Sequence, residues 1–572
     1  MTGPVNAHGG GRLPTSEEDK LLTPGEGKPR HFVFVCMGGY SRQANWPVLQ
    51  FVVIGSVLEL LYLLVFALSP LSTTITKVSP MASTWPWTLA LTQLLFHRSW
   101  SSSSGYADSG LYFLLLGLAF IALSSVYLYA VRRVSHTSSK IHITSRWLLL
   151  PLLGATIFGV TLLFLPALFS NEVYSYIFSG RMLTIYHVDP LSMAPAQFQQ
   201  DPYLAWISQP SMPNIYGPLW MTIASLLVAM GKNPVATLLF FKGLALLSHL
   251  VNCVLIWVIL GKLVPARRLL GTFLYAWNPL ALIELAGNGH NDGMLICLLL
   301  LATWLSVQQK GGWYDTGTAV LLGLASSVNL IGLLFAPLFM WFSVRSEHDI
   351  AHAIWGFCWR AILMLATLFI VYLPFWHGSS TFIAITSSLD MQHFVHSLLG
   401  VLAMPMRWLF SLIAQVAHFP LPYMQPTIAA DVTVQASGMF IFALIYLYLL
   451  AKVRRASARQ GFHELLTSLS IAVSGYVVLV SGLFWPWQVL WILWVVALRR
   501  LDALTESVLL LSCTALLTYP LLYVDNLPIA MYQPLFIFGV PLVYLIAKMK
   551  PPVGARFIAP RGGVQDERER AR

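Results

Sequence analysis

A chain of 572 residues that is 57% hydrophobic and only 10% charged is not an ordinary soluble protein, since soluble domains carry about 25% charged residues. Its mean hydropathy is +0.70. Apolar runs of about 17–25 residues, each able to cross a bilayer, recur along almost the whole length; because they are continuous rather than alternating, a membrane β-barrel is excluded. The formal net charge of +11 reads as topology rather than nucleic-acid binding, because Lys and Arg gather in short loops between the apolar runs. The expected fold is all-α, a polytopic transmembrane helical protein.

Residues 1–46 form a polar tail of mixed charge without the apolar core of a signal peptide. They read as a disordered cytoplasmic extension. The membrane domain then runs over 47–548, and 549–572 reads as a basic cytoplasmic tail. The first spans are expected near 47–68 and 111–131, separated by an extracytoplasmic loop at 69–110. Arg132, Arg133, Lys140 and Arg146 follow on the cytoplasmic side. A third span near 147–168 then delivers Glu172 to the outside. Basic loops at Lys262, Arg267 and Arg268, at Arg345, at Lys452, Arg454 and Arg455, at Arg499 and Arg500, and at Lys548 and Lys550 set the remaining topology. Spans near 269–285 and 293–309 place the Gly287–Asp292 loop outside. The run at 217–230 is short and reads as partial or re-entrant, and the run at 396–416 is ambiguous. Counting neither gives about 14 spans with both ends inside. Five cysteines without a C-x-x-C pair imply neither a disulfide framework nor a metal site.

Only 16 acidic residues lie between Pro47 and Lys548, so an acid at a membrane edge is a functional candidate. Ser170-Asn171-Glu172-Val173-Tyr174-Ser175-Tyr176 places one there, with Gly180 and Arg181 following. Glu172 and Tyr176 share a helix face. Arg181 joins them only if the helix breaks, and Gly180 is a place for that. The carboxylate could take a proton from a sugar hydroxyl, and Tyr174 and Tyr176 offer stacking faces; the ordinary alternative is an interfacial aromatic belt. The loop 187–218, ending Asn214-Ile215-Tyr216-Gly217-Pro218-Leu219, is too long and too rich in proline for a tight turn. Its last part also reads as a helix entry. Trp277-Asn278-Pro279-Leu280, Glu284 and Gly287-Asn288-Gly289-His290-Asn291-Asp292-Gly293 suggest a broken helix, whose amides with His290 and Asn291 suit an anionic oxygen. A polar turn is the alternative. Trp485-Pro486-Trp487-Gln488 could pack against lipid or sugar, or anchor the interface. Lys242 within a span, and His393 with His396 in an outer loop, also stand out, each better explained as structural.

Together the three segments, in this order, resemble the "D-V-Y-S-Y…G", "Y-G-P-L" and "N-P-L…G-x-H-N-D" elements of polyprenol-phosphate-mannose-dependent alpha-mannosyltransferases of bacterial envelopes. The alpha-(1→6)-mannosyltransferases are the nearest of these, within the GT-C class of membrane glycosyltransferases. The resemblance covers about 120 residues and implies an inverting enzyme in the plasma membrane, with its catalytic loops outside. It implies transfer of a hexose, read as mannose, from a polyprenyl-phosphate donor to a glycan or glycolipid acceptor. It maps the general base onto Glu172, where the family more often has Asp. Arg181 and His290 are candidates for the leaving phosphate. Asn288, Asn291, Asp292, Tyr174, Tyr176, Tyr216, Trp485 and Gln488 are candidates for substrate binding. At Val328-Asn329 this chain lacks the Lys or Arg that relatives often show. A metal is left open, and the ligand spacing around His290 supports none. The main rival is a transporter or flippase of lipid-linked sugars, which would need no base at Glu172. An O-antigen ligase or polymerase type of transferase is a second.

Overall fold

The computed structural model describes residues 40–72, 80–96, 109–138, 143–214, 216–378, 381, 394–416, 425–457, 460–522 and 527–549. His393, most of the N-terminal tail and the C-terminal tail from residue 550 lie outside them. The chain divides into two compact units, 1–48 and 49–572, and the second holds all three motifs.

The longer helices in chain order are α1 (Tyr40–Leu68), α2 (Ser109–Ser138), α3 (Leu149–Leu163), α4 (Glu172–Thr184), α5 (Pro218–Met230), α6 (Pro234–Leu263) and α7 (Arg268–Ala276). Beyond these lie α8 (Asp292–Gln308), α9 (Trp313–Val328), α10 (Gly332–Ser343), α11 (Ile350–Tyr372), α12 (Leu398–Val416), α13 (Pro426–Arg455), α14 (Gly461–Leu479), α15 (Leu490–Leu498), α16 (Ala503–Ala515) and α17 (Leu527–Met549). Among the described residues nine helices are long and apolar enough to cross a membrane, ten with one bent pair, and five apolar helices are shorter. The run at 396–416, left open by its sequence, contains one of the nine, Leu398–Val416.

Two expected spans are interrupted, and both interruptions build the site. The apolar run 147–168 is helical only to Leu163, because Pro166 disfavours helical backbone at the residue before it. The buried chain beyond it hands its Phe169 amide to the Asn288 side chain, 3.0 Å away. The run 269–285 breaks by 53° between Pro265–Ala276 and Pro279–Gly287. Asn278 caps the second piece by accepting from the Ala281 amide at 3.2 Å and donates to Ser512 Oγ at 2.9 Å. A π-helical turn over Ile283–Gly287 ends it, and π turns often mark functional positions.

Helices α4 and α5 are both short. Each has 13 residues, about 20 Å of helix against a hydrocarbon core of about 30 Å. They pack on each other, closest at Gly180, where an added Cβ would lie 2.6 Å from the Ala224 carbonyl oxygen. Helix α15 is buried along its whole length, as expected of a helix apolar all round. By contrast α11 and α13 turn Phe369, Ile370, Phe440 and Leu444 outward, a surface suited to lipid.

Candidate active site

Glu172 opens α4, so its carboxylate sits at the positive end of that helix. Tyr216, immediately before α5, donates its hydroxyl to Glu172 Oε2. The Tyr176 ring stands edge-on to Tyr216, with centroids 4.6 Å apart, and to Trp220 at 5.3 Å. The Tyr176 hydroxyl lies 3.4 Å from His290 Nδ1 and 3.4 Å from Asn291 Oδ1. Residues from all three motifs therefore meet. Their convergence comes from the interruptions: α4 begins where the α3 run stops, and His290 follows the π turn of the broken helix.

Beneath this surface lies a buried polar cluster. His290 Nε2 is 3.3 Å from Glu284 and its Nδ1 is 3.8 Å from Asp292. Glu284 accepts from Tyr519 at 2.6 Å and from Asn288 at 2.9 Å, and Asp292 accepts from the Trp491 indole at 2.7 Å. Gly289, at φ +78°, makes the turn into His290, and an added Cβ would meet Val173 and Lys242. Lys242, fully buried, donates to the Leu162 carbonyl at 3.1 Å, near the negative end of α3. His290, Asn288, Asn291, Asp292 and Glu284 are all buried, whereas Glu172 and Tyr216 are half-buried. Within the constellation, the least buried carboxylate is Glu172. Burial raises its carboxyl above the ordinary range, and the Tyr216 hydrogen bond partly opposes this.

Trp487 stacks on His290 at 4.4 Å, and Trp485 lies parallel to Trp487 at 5.3 Å. His396 stands edge-on to Trp485 and bonds to Gln533. Gln488 turns inward and donates to the Leu483 carbonyl at 2.9 Å. The composition of the motifs pointed to Trp485. Of the residues that touch His290 and its neighbours, Trp487 lies in the Trp-Pro-Trp run and Trp220 directly follows Tyr-Gly-Pro-Leu, whereas Trp491 and Tyr519 carry no signal in the sequence.

Two candidates stand apart. Helix α4 runs unbroken through Gly180, so Arg181 stays on the face away from Glu172. It pairs with Asp201 at 2.8 Å and lies over the Tyr203 ring at 4.7 Å, while Tyr186 also donates to Asp201. Its charge is committed to holding the 187–218 loop. Arg181→Ala leaves the buried Asp201 carboxylate without its cation, which typically costs about 3–5 kcal/mol. A lowered melting temperature with an unchanged donor KM in the surviving protein is expected. Tyr174, fully buried, stacks on Trp206 at 5.5 Å and takes the same structural side. Val328-Asn329 instead supports the second motif: the Val328 carbonyl accepts from the Gly217 amide at 3.2 Å. Among the described residues no cluster of three or more His, Cys, Asp or Glu could hold a metal.

Residues 71–345 match a family model described as alpha-(1->6)-mannopyranosyltransferase, N-terminal domain, a stretch that contains all three motifs. Over 191 residues the chain is 24% identical to alpha-(1->6)-mannopyranosyltransferase A of Corynebacterium glutamicum. That match covers 32% of this chain and 37% of the relative. No solved structure matches. The chain is thus similar to mannosyltransferases of the kind its motifs resemble, and this similarity does not favour a transporter.

Proposed function

We propose that this chain is a membrane mannosyltransferase that moves mannose from a polyprenyl-phosphate donor to a hydroxyl of a glycan or glycolipid acceptor on the extracytoplasmic face of the plasma membrane. The reading rests on one observation above all: Glu172, the least buried carboxylate, is held by the tyrosine of the second motif and linked through Tyr176 to the histidine of the third. In this mechanism Glu172 accepts the acceptor's proton as its oxygen bonds to the sugar C1. The bond from C1 to the phosphate oxygen breaks, and polyprenyl phosphate leaves ionised. One such carboxylate suffices, unlike the two-carboxylate plan of glycosidases. His290 is enclosed by Glu284, Asp292 and Trp487; its role here is to hold the floor beneath Tyr176, with Asn291 and Asn288 keeping the broken turn in shape. The parallel rings of Trp485 and Trp487 offer stacking faces to a sugar.

The same reading takes the fold as GT-C-like with about 14 spans. The nine long apolar helices and the one bent pair among the described residues support a polytopic helical fold of this kind. Transfer is tested with membranes containing the protein, radiolabelled mannosyl-phosphate polyprenol and a mannoside acceptor. A new labelled glycoside is expected, and movement of label across the membrane without one would sink the proposal.

A base must be ionised to act, so kcat/KM is expected to rise with pH as Glu172 loses its proton. Because the Tyr216 hydroxyl favours the carboxylate, Tyr216→Phe removes that help and raises the carboxyl further. The acid limb of the pH–rate profile should move to higher pH in this variant. An unmoved limb would separate Tyr216 from the base.

A further inference from the structure

Helices α7 and α15 both lead away from the site. Beyond the break, α7 continues toward His290, and α15 follows directly on Trp487. At their other ends lie Arg267, just before α7, and Arg499, just after α15. Eleven residues of helical chain lie between Trp487 and Arg499, a rise of about 18 Å. The two helices pack tightly: a Cβ on Gly271 would sit 2.4 Å from the Ala497 carbonyl oxygen. This crossing brings Arg267 within the field of Arg499, Arg500 and Asp502.

The group is unbalanced in charge and in hydrogen bonding. Three guanidinium groups share one carboxylate, and that carboxylate is occupied, accepting from Arg499 at 2.7 Å and from the Thr505 amide at 2.9 Å. The Arg499 side chain is only 3% exposed, yet its Nε and Nη1 have no partner, nor has Arg267 Nη2. Nearby Glu464 is taken by Lys452 at 2.9 Å, and Lys262 by Gln308. Membrane topology accounts for arginines at this end. It does not account for burying guanidinium N–H groups unpaired, which costs free energy unless a charged acceptor meets them. A tetrahedral oxyanion supplies several acceptor oxygens, and guanidinium forks match its geometry.

We propose that Arg267, Arg499 and Arg500 form a phosphate-binding site at the end of the bundle remote from Glu172. The phosphate is carried by an anionic phospholipid headgroup or comes free from solution.

Purified full-length protein in zwitterionic detergent is titrated at constant ionic strength. One arm uses short-chain phosphatidylglycerol and the other inorganic phosphate, with phosphatidylcholine and chloride as controls. Melting temperature and bound lipid by native mass spectrometry are followed. A saturable rise in melting temperature is expected in at least one phosphate arm and in neither control. Response to lipid alone assigns the headgroup, and response in both arms assigns the phosphate group itself. Arg499→Gln should weaken the apparent dissociation constant about tenfold or more, as loss of charge-assisted hydrogen bonds does. Should Arg499→Gln not fold, the exposed Arg500→Gln carries the same comparison with a smaller weakening. No rise in either phosphate arm, or an equal rise in wild type and the substituted proteins, would overturn the site.

Discussion

Glu172→Gln is expected to abolish mannosyl transfer while leaving the fold and the Tyr216 contact in place. Glutamine has nearly the same shape, and its carbonyl oxygen can still accept from the Tyr216 hydroxyl, so neither α4 nor the second motif has reason to move. What is lost is the capacity to take a proton. General bases typically contribute about 100- to 10,000-fold to rate, and a fall of that size in kcat/KM is the expected reading, with donor binding retained. Glu172→Asp tests a finer point. It keeps the charge but withdraws the carboxylate by about one carbon–carbon bond, 1.5 Å, away from Tyr216. Intermediate activity is expected. If Glu172→Gln transfers mannose at the wild-type rate, the base lies elsewhere.

Gly217→Ala is the second large effect, and it acts through backbone rather than chemistry. A Cβ at Gly217 would lie 2.1 Å from the Ser327 carbonyl oxygen and 2.6 Å from its carbon. Both are main-chain atoms at the end of α9, so no side chain can swing aside. Overpacking commonly costs about 1–3 kcal/mol, and a backbone obstacle belongs at the upper end. The entry to α5 must then shift, carrying Tyr216 with it. Displacing a positioning group by about 1 Å can cost about 100-fold in rate, so activity should fall more than stability does. Gly539→Ala is the matched control, because an added methyl there meets nothing within 4 Å. Equal melting temperatures and activities for the two variants would contradict this account of the Tyr-Gly-Pro-Leu element.

Much of this was legible in the residues. Hydropathy alone establishes a helical membrane chain, and the scarcity of acids singles out Glu172. The broken helix at Asn278-Pro279 was readable because proline and a capping asparagine carry their conformational preferences locally. Arg181 was less legible. Its partner Asp201 sits 20 residues away in a loop, and the helical turn at Gly180 stays intact because α4 is braced there against Ala224. Nothing local signals either fact. His290 read as a partner, with Asn291 and the amides of a broken helix, for an anionic oxygen. In the fold it is buried between two carboxylates and under Trp487, contacts made by residues up to about 200 positions away.

The sequence by itself determined the solvent of this protein, the kinds of residue available for chemistry, and the points where helices must stop. These are properties of composition and of local backbone, encoded within a few residues of where they act. The tertiary structure alone decided which polar groups stay partly open and which are consumed in hydrogen bonds with one another. That division depends on distant side chains competing for the same hydrogen bonds, and it leaves Glu172 half-buried while committing Arg181 to Asp201 and enclosing His290.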